Sequence, residues 1–385
     1  MRYILPDMAS FVVRAPGRVN LIGEHIDYCG LPVFPMAIGR SVRMTCQPRA
    51  NREIRITNRD PRFTPAVFTV SDSISPAPAG DWSNYARAAA QALAQRFPDL
   101  RGVDAVVDSD LPIAAGLSSS SALLVASALA ILHANGVSVA SLELMELLAR
   151  GEHYVGTAGG GMDQAIILGA QVGCASRIDF HPLRLTPTAV PTGWQFIVAQ
   201  SLVHAEKSGA ARQAYNERPR QCDEARRLVA TRLGRREDIT YSALLAAAPL
   251  GELLEVAGAT LPDVLARRFR HVVTEGTRVR QAETAMAAGD LTTFGGLLDS
   301  SHASLRDHYE VSHPELDRLV ELAREAGAAG ARLTGAGFGG SIVALCNVDR
   351  APKVLAALRE RFYAPRGVAG DYVFSAEPSA GADVS

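Results

Sequence analysis

The feature that most constrains the fold is the segment VDAVVDSDLPIAAGLSSSSALLVASALAIL, residues 103 to 132. It reads as an alternating strand, a Gly/Ser-rich turn, and a helix apolar on nearly every face. A helix with no polar side must lie inside a core, so other layers have to cover it. The chain is long enough to supply them, with 385 residues, 48% apolar and 21% charged. That length suits about two domains, and the composition excludes disorder and collagen-like repeats.

The layers can be read coarsely. Short extended segments occupy 11–15, 41–46, 53–57 and 66–70, bounded by Gly, Pro, Asn and Asp. A helix over 81–97, the strand 103–109, the buried helix and a helix over 141–154 follow. Two further strand-like segments, GCASRIDF and WQFIVAQS, flank a change of texture near Pro191. From about Lys207 to Gly327 the chain is mostly helical, and its last helix carries an apolar stripe of Leu316, Leu319, Val320 and Ala323. Ser312 with Glu315 predicts a capping box there, and Gly327 predicts the stop. Strand, glycine-rich turn, strand, helix and strand close the chain. Strands and helices without regular βα alternation predict an α+β architecture, with domains at 1–190 and 191–385.

Charge and cysteine usage narrow the function. The 39 basic and 40 acidic residues sum to −1, so no global field draws the chain to nucleic acid or an anionic membrane. No apolar run is long enough to span a bilayer, and Pro6 and Asp7 interrupt any signal-peptide core, which predicts a cytoplasmic protein. Cys29, Cys46, Cys174, Cys222 and Cys346 lack metal-site spacing and read as small core residues. Only Lys207 and Lys353 are lysine, and neither stands where a P-loop or a protein kinase needs one. Any phosphate chemistry must therefore rely on backbone amides, arginine and a metal.

Four places carry candidate chemistry. The turn from Pro112 to Ser121 enters the buried helix, where unpaired N–H groups and the helix dipole favour an anion; a serine-rich cap is the plainer alternative. Glu152 falls on the core-facing side of its helix, four residues after Leu148 and seven after Met145, and so requires an arginine or a metal unless the helix end is solvated. The stretch RAPGRVNLIGEHIDYCG shows no strand or helix periodicity and crowds Arg14, Arg18, Glu24, His25 and Asp27 into what reads as a constrained loop suited to hydroxyl recognition. Asp163 alone reads as a helix N-cap. The run Gly335 to Gly340 matches GxGxxG, but a strand follows it directly, so a turn between strands fits better than a dinucleotide loop.

In combination these segments resemble the GHMP small-molecule kinases, and among them the galactokinase family. GRVNLIGEHIDY at 17–28 is similar to that family's sugar signature, LPIAAGLSSSSA at 111–122 to its phosphate loop, GGGMDQ at 159–164 to its catalytic-aspartate loop, and RLTGAGFGG at 332–340 to its third motif. AYNERPRQC and SLRDHYEVSHPELD match as well, so the resemblance spans nearly the whole chain. It implies a two-lobed α+β fold, with an N-terminal mixed-sheet lobe and a C-terminal ferredoxin-like lobe carrying extra helices.

It also implies transfer of the γ-phosphoryl of ATP to the anomeric hydroxyl of galactose, by a cytoplasmic monomer whose partners are sugar and ATP rather than nucleic acid or membrane. Glu24, His25, Asp27, Gly160, Asp163 and Tyr215 would contact the sugar. Ala114, Ala115, Gly116, Leu117, Ser118, Ser119 and Ser120 would wrap the phosphates, and Ser120 and Glu152 would hold Mg2+. Asp163 and Arg18 would flank the reacting hydroxyl, with Asp163 a weak base that acts late or chiefly by positioning. Within the resemblance, HIDYCG and GTAGGGMDQ are closer to the N-acetylgalactosamine kinase branch, whereas Tyr215 followed by Asn216 looks like bacterial galactokinases. Galactose is the favoured acceptor. N-acetylgalactosamine, a uronic acid, or a catalytically silent sugar sensor are the alternatives.

Overall fold

The computed structural model describes residues 9–113, 115–156, 159–203 and 210–385. Ala114 and Lys207 lie outside them. In chain order the elements are β1 (Phe11–Ile22), β2 (Phe34–Pro48), β3 (Glu53–Asn58), β4 (Ala66–Thr69), α1 (Ser83–Arg96), β5 (Val103–Ser109), α2 (Ser119–Ala134), α3 (Ser141–Gly151), α4 (Met162–Gly169), β6 (Cys174–Phe180), β7 (Leu183–Ala189) and β8 (Trp194–Gln200). There follow α5 (Ala210–Arg232), α6 (Tyr241–Ala247), α7 (Leu250–Thr260), α8 (Asp263–Ala288), α9 (Leu291–Ser304), α10 (Pro314–Glu325), β9 (Gly330–Thr334), β10 (Ser341–Asn347), α11 (Ala351–Leu358), β11 (Val373–Ala376) and β12 (Asp383–Val384).

The first sheet is mixed, in the order β12-β1-β2-β5-β3-β4, with β3 and β5 parallel and the other pairs antiparallel. The apolar helix is α2, and it is buried from Ser121 to Ala134 except around Leu129 and His133. It packs against β1, β2 and α1, where the absence of a polar face had placed it. The second sheet is antiparallel in the order β11-β8-β10-β9. Numbered by sequence within that sheet the order is 4-1-3-2, with α9 and α10 before its second strand and α11 before its fourth, which is the ferredoxin-like split βαβ topology. Helices α5 to α8 are the additions to it. Pro191 lies between β7 and β8, and β12 carries the end of the chain back onto β1 through Val13 and Val384.

Three local expectations change. The stretch containing Arg14 and Arg18 is strand rather than loop, because β1 continues to Ile22 and every residue from Ala15 to Ile22 is buried. A strand covered on both faces has no alternation to read, and the register shifts at Pro16/Arg18 and Asn20/Ile22 break what remains. Strand β7, with Pro187 inside it, pairs with β6 as a separate hairpin that the sequence reading passed over. The capping box at Ser312 does not form. Pro314 occupies the first helical turn and moves the N-cap to His313, whose ring nitrogen accepts from the Glu315 amide at 3.1 Å, while Ser312 bonds to Asp317 at 2.5 Å.

Candidate functional site

Where β1, the entries to α2 and α4, and the β9–β10 turn converge, the sequence motifs come together. Arg18 projects from β1, nearly fully buried. Its Nε donates to Asp163 Oδ1 at 2.7 Å and one terminal nitrogen donates to the Gly116 carbonyl at 2.6 Å. Burial opposes the charge on Arg18, but the carboxylates of Asp163 and Glu24 outweigh it and keep the guanidinium firmly protonated. Asp163 is the second residue of α4, whose N-cap is Gly161, so the N-cap reading of Asp163 does not hold. Its second oxygen accepts from the Ser118 hydroxyl and from that of Ser121, the latter at 3.2 Å.

The turn into α2 adopts left-handed backbone at Gly116 (φ 76°) and at Ser118 (φ 58°). Ser118 is the N-cap of a 16-residue helix, yet it spends its hydroxyl on Asp163 and not on the helix's own first amides. Ala115, Gly116 and Leu117 are held by two residues. Their carbonyls accept from Ser341, from the Arg18 side chain and from the Arg18 amide respectively. Ser119 and Ser120 open the helix.

Glu152 is buried and stands just past the end of α3, in a short 3-10 turn, because the helix stops at Gly151 rather than continuing to 154. Its carboxylate accepts from Ser121 at 2.9 Å and from the Gln164 amide at 3.0 Å, both neutral donors. The carbonyl oxygen of Gln164 is buried with no protein partner. Glu152, the Ser121 hydroxyl and that oxygen are hard oxygen donors of the kind Mg2+ takes. Among the described residues no group of three or more His, Cys, Asp or Glu side chains forms a complete metal cage, so most ligands of an ion here would come from elsewhere.

The segment after β1 forms a tight turn with left-handed backbone at Gly23 (φ 102°) and at His25 (φ 62°). A non-glycine residue there costs about 1 kcal/mol or more and needs surroundings that enforce it. Glu24 is buried and accepts from the Gly335 amide at 2.5 Å, from Asn20 at 2.9 Å and from Thr334 at 3.3 Å. His25 engages Tyr28 at 2.9 Å and the Ala336 carbonyl at 3.1 Å, so both ring nitrogens are committed within the protein. Burial, together with positive charge on His271, Arg218 and Arg332, pushes the His25 imidazole down to about 3.

Asp27 accepts the Gly160 amide at 3.0 Å. Burial, with the nearby charges of Asp163 and Glu24, pushes its carboxyl up to about 6. A Cβ on Gly160 would meet the Asp27 carbonyl carbon at 2.5 Å and the Tyr28 nitrogen at 2.6 Å, so only glycine fits. Tyr215, on α5, presents its ring 5.7 Å from that of His25. Arg14 does not join this group; it bonds to Ser379 at 2.6 Å and pairs with Asp383, anchoring the C-terminal strand.

The GxGxxG run is a hairpin between antiparallel β9 and β10, as the following strand implied. It lies directly on the turn into α2, where a Cβ on Gly335 would meet the Gly116 oxygen at 3.0 Å. Three residues that sequence reasoning missed hold the sugar-signature turn from behind. Glu275 on α8 accepts the Gly23 amide at 2.9 Å, His271 on the same helix donates to the Glu24 carbonyl at 3.0 Å, and Arg332 donates to the Asn20 and Leu21 carbonyls at 3.0 Å. Despite burial, the charges of Arg278, His271 and Arg332 pull the Glu275 carboxyl down to about 2; burial pushes the His271 imidazole down to about 4. For Glu275 and His271, a charged or polar residue on the core face of α8 was the only available signal.

Three family models match in the same order as the motifs. The galactokinase galactose-binding signature covers residues 6–48, the GHMP kinase N-terminal domain 84–170 and the GHMP kinase C-terminal domain 282–364. A galactokinase of Chloroflexus aggregans is 39% identical over 352 residues, covering 90% of this chain and 86% of that protein. The chain belongs to the galactokinase family. A galactokinase of Roseiflexus is 40% identical over 338 residues, with 87% and 83% coverage. The crystal structure of Lactococcus lactis galactokinase complexed with galactose superimposes with a TM-score of 0.87 at 29% identity, over 98% of this chain and 95% of that one. Methanococcus jannaschii mevalonate kinase, at TM-score 0.63 and 19% identity, shares the GHMP kinase fold. The chain is thus a sugar kinase, and family membership implies ATP as its phosphoryl donor.

Proposed function

We propose that this enzyme transfers the γ-phosphoryl of ATP to the anomeric hydroxyl of D-galactose, giving galactose 1-phosphate and ADP. One observation carries the reading: Arg18 bonds simultaneously to Asp163 and to the Gly116 carbonyl, joining the aspartate loop to the phosphate loop at a single buried cation. Galactose is favoured as acceptor because the galactose-binding signature matches over the turn that bears Glu24, His25 and Asp27.

Phosphoryl transfer through a loose transition state requires alignment and charge neutralisation more than covalent chemistry. The N-terminus of α2 and the turn from 115 to 120 would supply backbone dipoles to the phosphates through Ala115, Gly116, Leu117, Ser118, Ser119 and Ser120. Arg18 stabilises charge developing on the transferred group. Asp163 receives donors from Arg18, Ser118 and Ser121, which makes it a poor proton acceptor early in the reaction and a good orienter of the sugar hydroxyl. Asp27 and Tyr215 face the sugar, and Gly160 lets the aspartate loop close on Asp27. Glu24 and His25 shape the turn that bears them. Ser120 and Glu152 would hold Mg2+, which when bound neutralises phosphate oxygens.

The reading includes a cytoplasmic monomer with sugar and ATP as its only obligate partners. Its cytoplasmic part is supported by a phosphoryl donor, ATP, that belongs to the cell interior. Among the described residues no single helix is long and apolar enough to cross a membrane.

The test is ADP release by the purified protein with ATP, Mg2+ and, in separate reactions, galactose, N-acetylgalactosamine and galacturonate, with the sugar product identified by phosphorus NMR. Galactose 1-phosphate formed at the highest kcat/KM is the expected result. Preference for either other sugar overturns the acceptor assignment, and sugar binding without ADP release overturns the catalytic one.

A further inference from the structure

A file of hydroxyl, thiol and imidazole groups runs inward from His25. The Tyr28 hydroxyl that meets His25 Nδ1 lies 2.6 Å from the Tyr309 hydroxyl, and Tyr309 lies 3.1 Å from Cys222 Sγ.

Proton placement along this file follows from one end. A carbonyl can only accept, so His25 Nε2 carries the hydrogen that meets Ala336. The ring is neutral, so Nδ1 is bare and accepts from the Tyr28 O–H. Tyr28 has then spent its proton, and its oxygen accepts from the Tyr309 O–H. Tyr309 in turn accepts from the Cys222 S–H. Every donor in the file points toward His25.

Tyr309 reaches this position through a deliberate irregularity. Leu305–Tyr309 is a single π turn continuing α9, followed by Glu310 in left-handed backbone (φ 58°). Arg218 donates to the carbonyls of Tyr309 at 3.1 Å and Glu310 at 3.3 Å, and Arg268 to the Glu310 carboxylate at 2.5 Å, which hold the turn closed. The Tyr309 ring then lies 4.9 Å from that of His25 and 4.4 Å from that of His271.

We propose that Tyr309 and Tyr28 are positioning residues of the sugar site: by capping His25 Nδ1 they lock its Nε2–H tautomer, which fastens Ala336 of the β9–β10 turn to the segment bearing Glu24 and Asp27. The kinetic half of this proposal rests on the galactokinase reading; the tautomer half does not. Neither hydroxyl is assigned any contact with the reacting atoms.

The test compares Tyr309→Phe and Tyr28→Phe with Tyr241→Phe. Tyr241 is buried like Tyr309 and donates to the Cys222 carbonyl at 2.7 Å, so its loss removes a hydroxyl beside the file but outside it. Losing one neutral hydrogen bond predicts a rise in galactose KM of about 3- to 10-fold in Tyr309→Phe and about 10-fold in Tyr28→Phe, with ATP KM and kcat within about twofold. Tyr241→Phe lowers the melting temperature and leaves all three constants in place. In the sugar-free enzyme, nitrogen-15 NMR should show His25 as the Nε2–H tautomer, with the Nδ1 resonance shifted in the Tyr28 and Tyr309 variants only. A protonated Nδ1 in the wild type, an unmoved resonance, or a galactose KM that changes no more than in Tyr241→Phe overturns the proposal. A wild-type enzyme that turns over no sugar overturns the functional reading instead and leaves the NMR arm to decide this one.

Discussion

Gly160→Ala isolates the fit between the aspartate loop and the sugar-signature turn. Gly160 is not in left-handed backbone, so an alanine there carries no dihedral penalty, and its effect is steric. The new methyl would lie 2.5 Å from the Asp27 carbonyl carbon and 2.6 Å from the Tyr28 nitrogen, both backbone atoms that no rotamer change can clear. Restoring an ordinary contact of ~3.5 Å requires the two segments to separate by about 1 Å. That separation stretches the 3.0 Å Gly160–Asp27 hydrogen bond and moves Asp163, three residues along, away from the sugar that Asp27 is proposed to bind. A misplacement of about 1 Å costs on the order of 100-fold in rate for a reaction that depends on alignment. The assay is ADP release across galactose concentrations, with nucleotide affinity and melting temperature measured alongside. The expected result is kcat/KM for galactose down about 100-fold, with nucleotide affinity unchanged. Gly159→Ala is the neighbouring control, since among the described residues its methyl meets only a Glu152 oxygen at an ordinary 3.5 Å and should cost about threefold or less. Near wild-type activity in folded Gly160→Ala, or equal losses in the two variants, would refute the argument that this contact sets the sugar's position.

Three further outcomes follow from the same geometry. Arg18→Ala and Asp163→Asn should each reduce kcat by about 100-fold or more while changing galactose affinity little, as measured by steady-state kinetics beside calorimetric titration of the sugar; an unchanged kcat would remove both from the catalytic centre. Glu152→Gln should raise the Mg2+ concentration needed for half-maximal rate by about 10-fold at saturating ATP and leave sugar binding intact, and an unaltered Mg2+ dependence would refute its role as a ligand. The pH dependence of stability has a defined sign. His25 and His271 are pushed down to about 3 and about 4, so they contribute stability above the unfolded value of ~6.5 that is lost as pH falls through the window down to about 4, each by about 1.4 kcal/mol per unit. Asp27, pushed up to about 6, acts oppositely between ~4 and 6. Urea unfolding should therefore show stability falling from pH 6.5 toward pH 4, more shallowly in His271→Gln, and an unchanged slope in that variant would refute the buried-neutral assignment.

How much of this was legible in the sequence depends on how many faces of each element meet solvent. Helix α10 announced itself because its polar face alternates with Leu316, Leu319 and Ala323; only its cap was misplaced, by the Pro314 that shifts the start one residue. Helix α2 was legible for the opposite reason, since an apolar surface on all sides admits one placement. The second half of β1 was not legible as a strand. From Ala15 to Ile22 it is covered on both faces and bulged twice, so the period-2 signal is absent while the conformation persists. That same burial makes the strand a rigid mount for Arg18, so the property that hid the element from pattern reading is the one the proposed role of Arg18 requires.

The site divides along a similar line. Residues that would meet substrate, such as Asp163 and Asp27, sit in short glycine-rich segments whose local chemistry is visible in one dimension. Those that hold the segments in place are dispersed over the second half of the chain: Arg332 on β9, Glu275 and His271 on α8, Tyr309 in a π turn. Each spends at least one polar atom on a backbone amide, a backbone carbonyl or a side chain more than 200 residues away, and no spacing rule connects them. Yet they decide whether the turn exists, because left-handed backbone at His25 is unfavourable unless Gly23 and Glu24 are pinned on both sides. The sugar-signature turn is therefore a property of two lobes at once: β1 delivers it, and α8 with the β9–β10 hairpin gives it its shape.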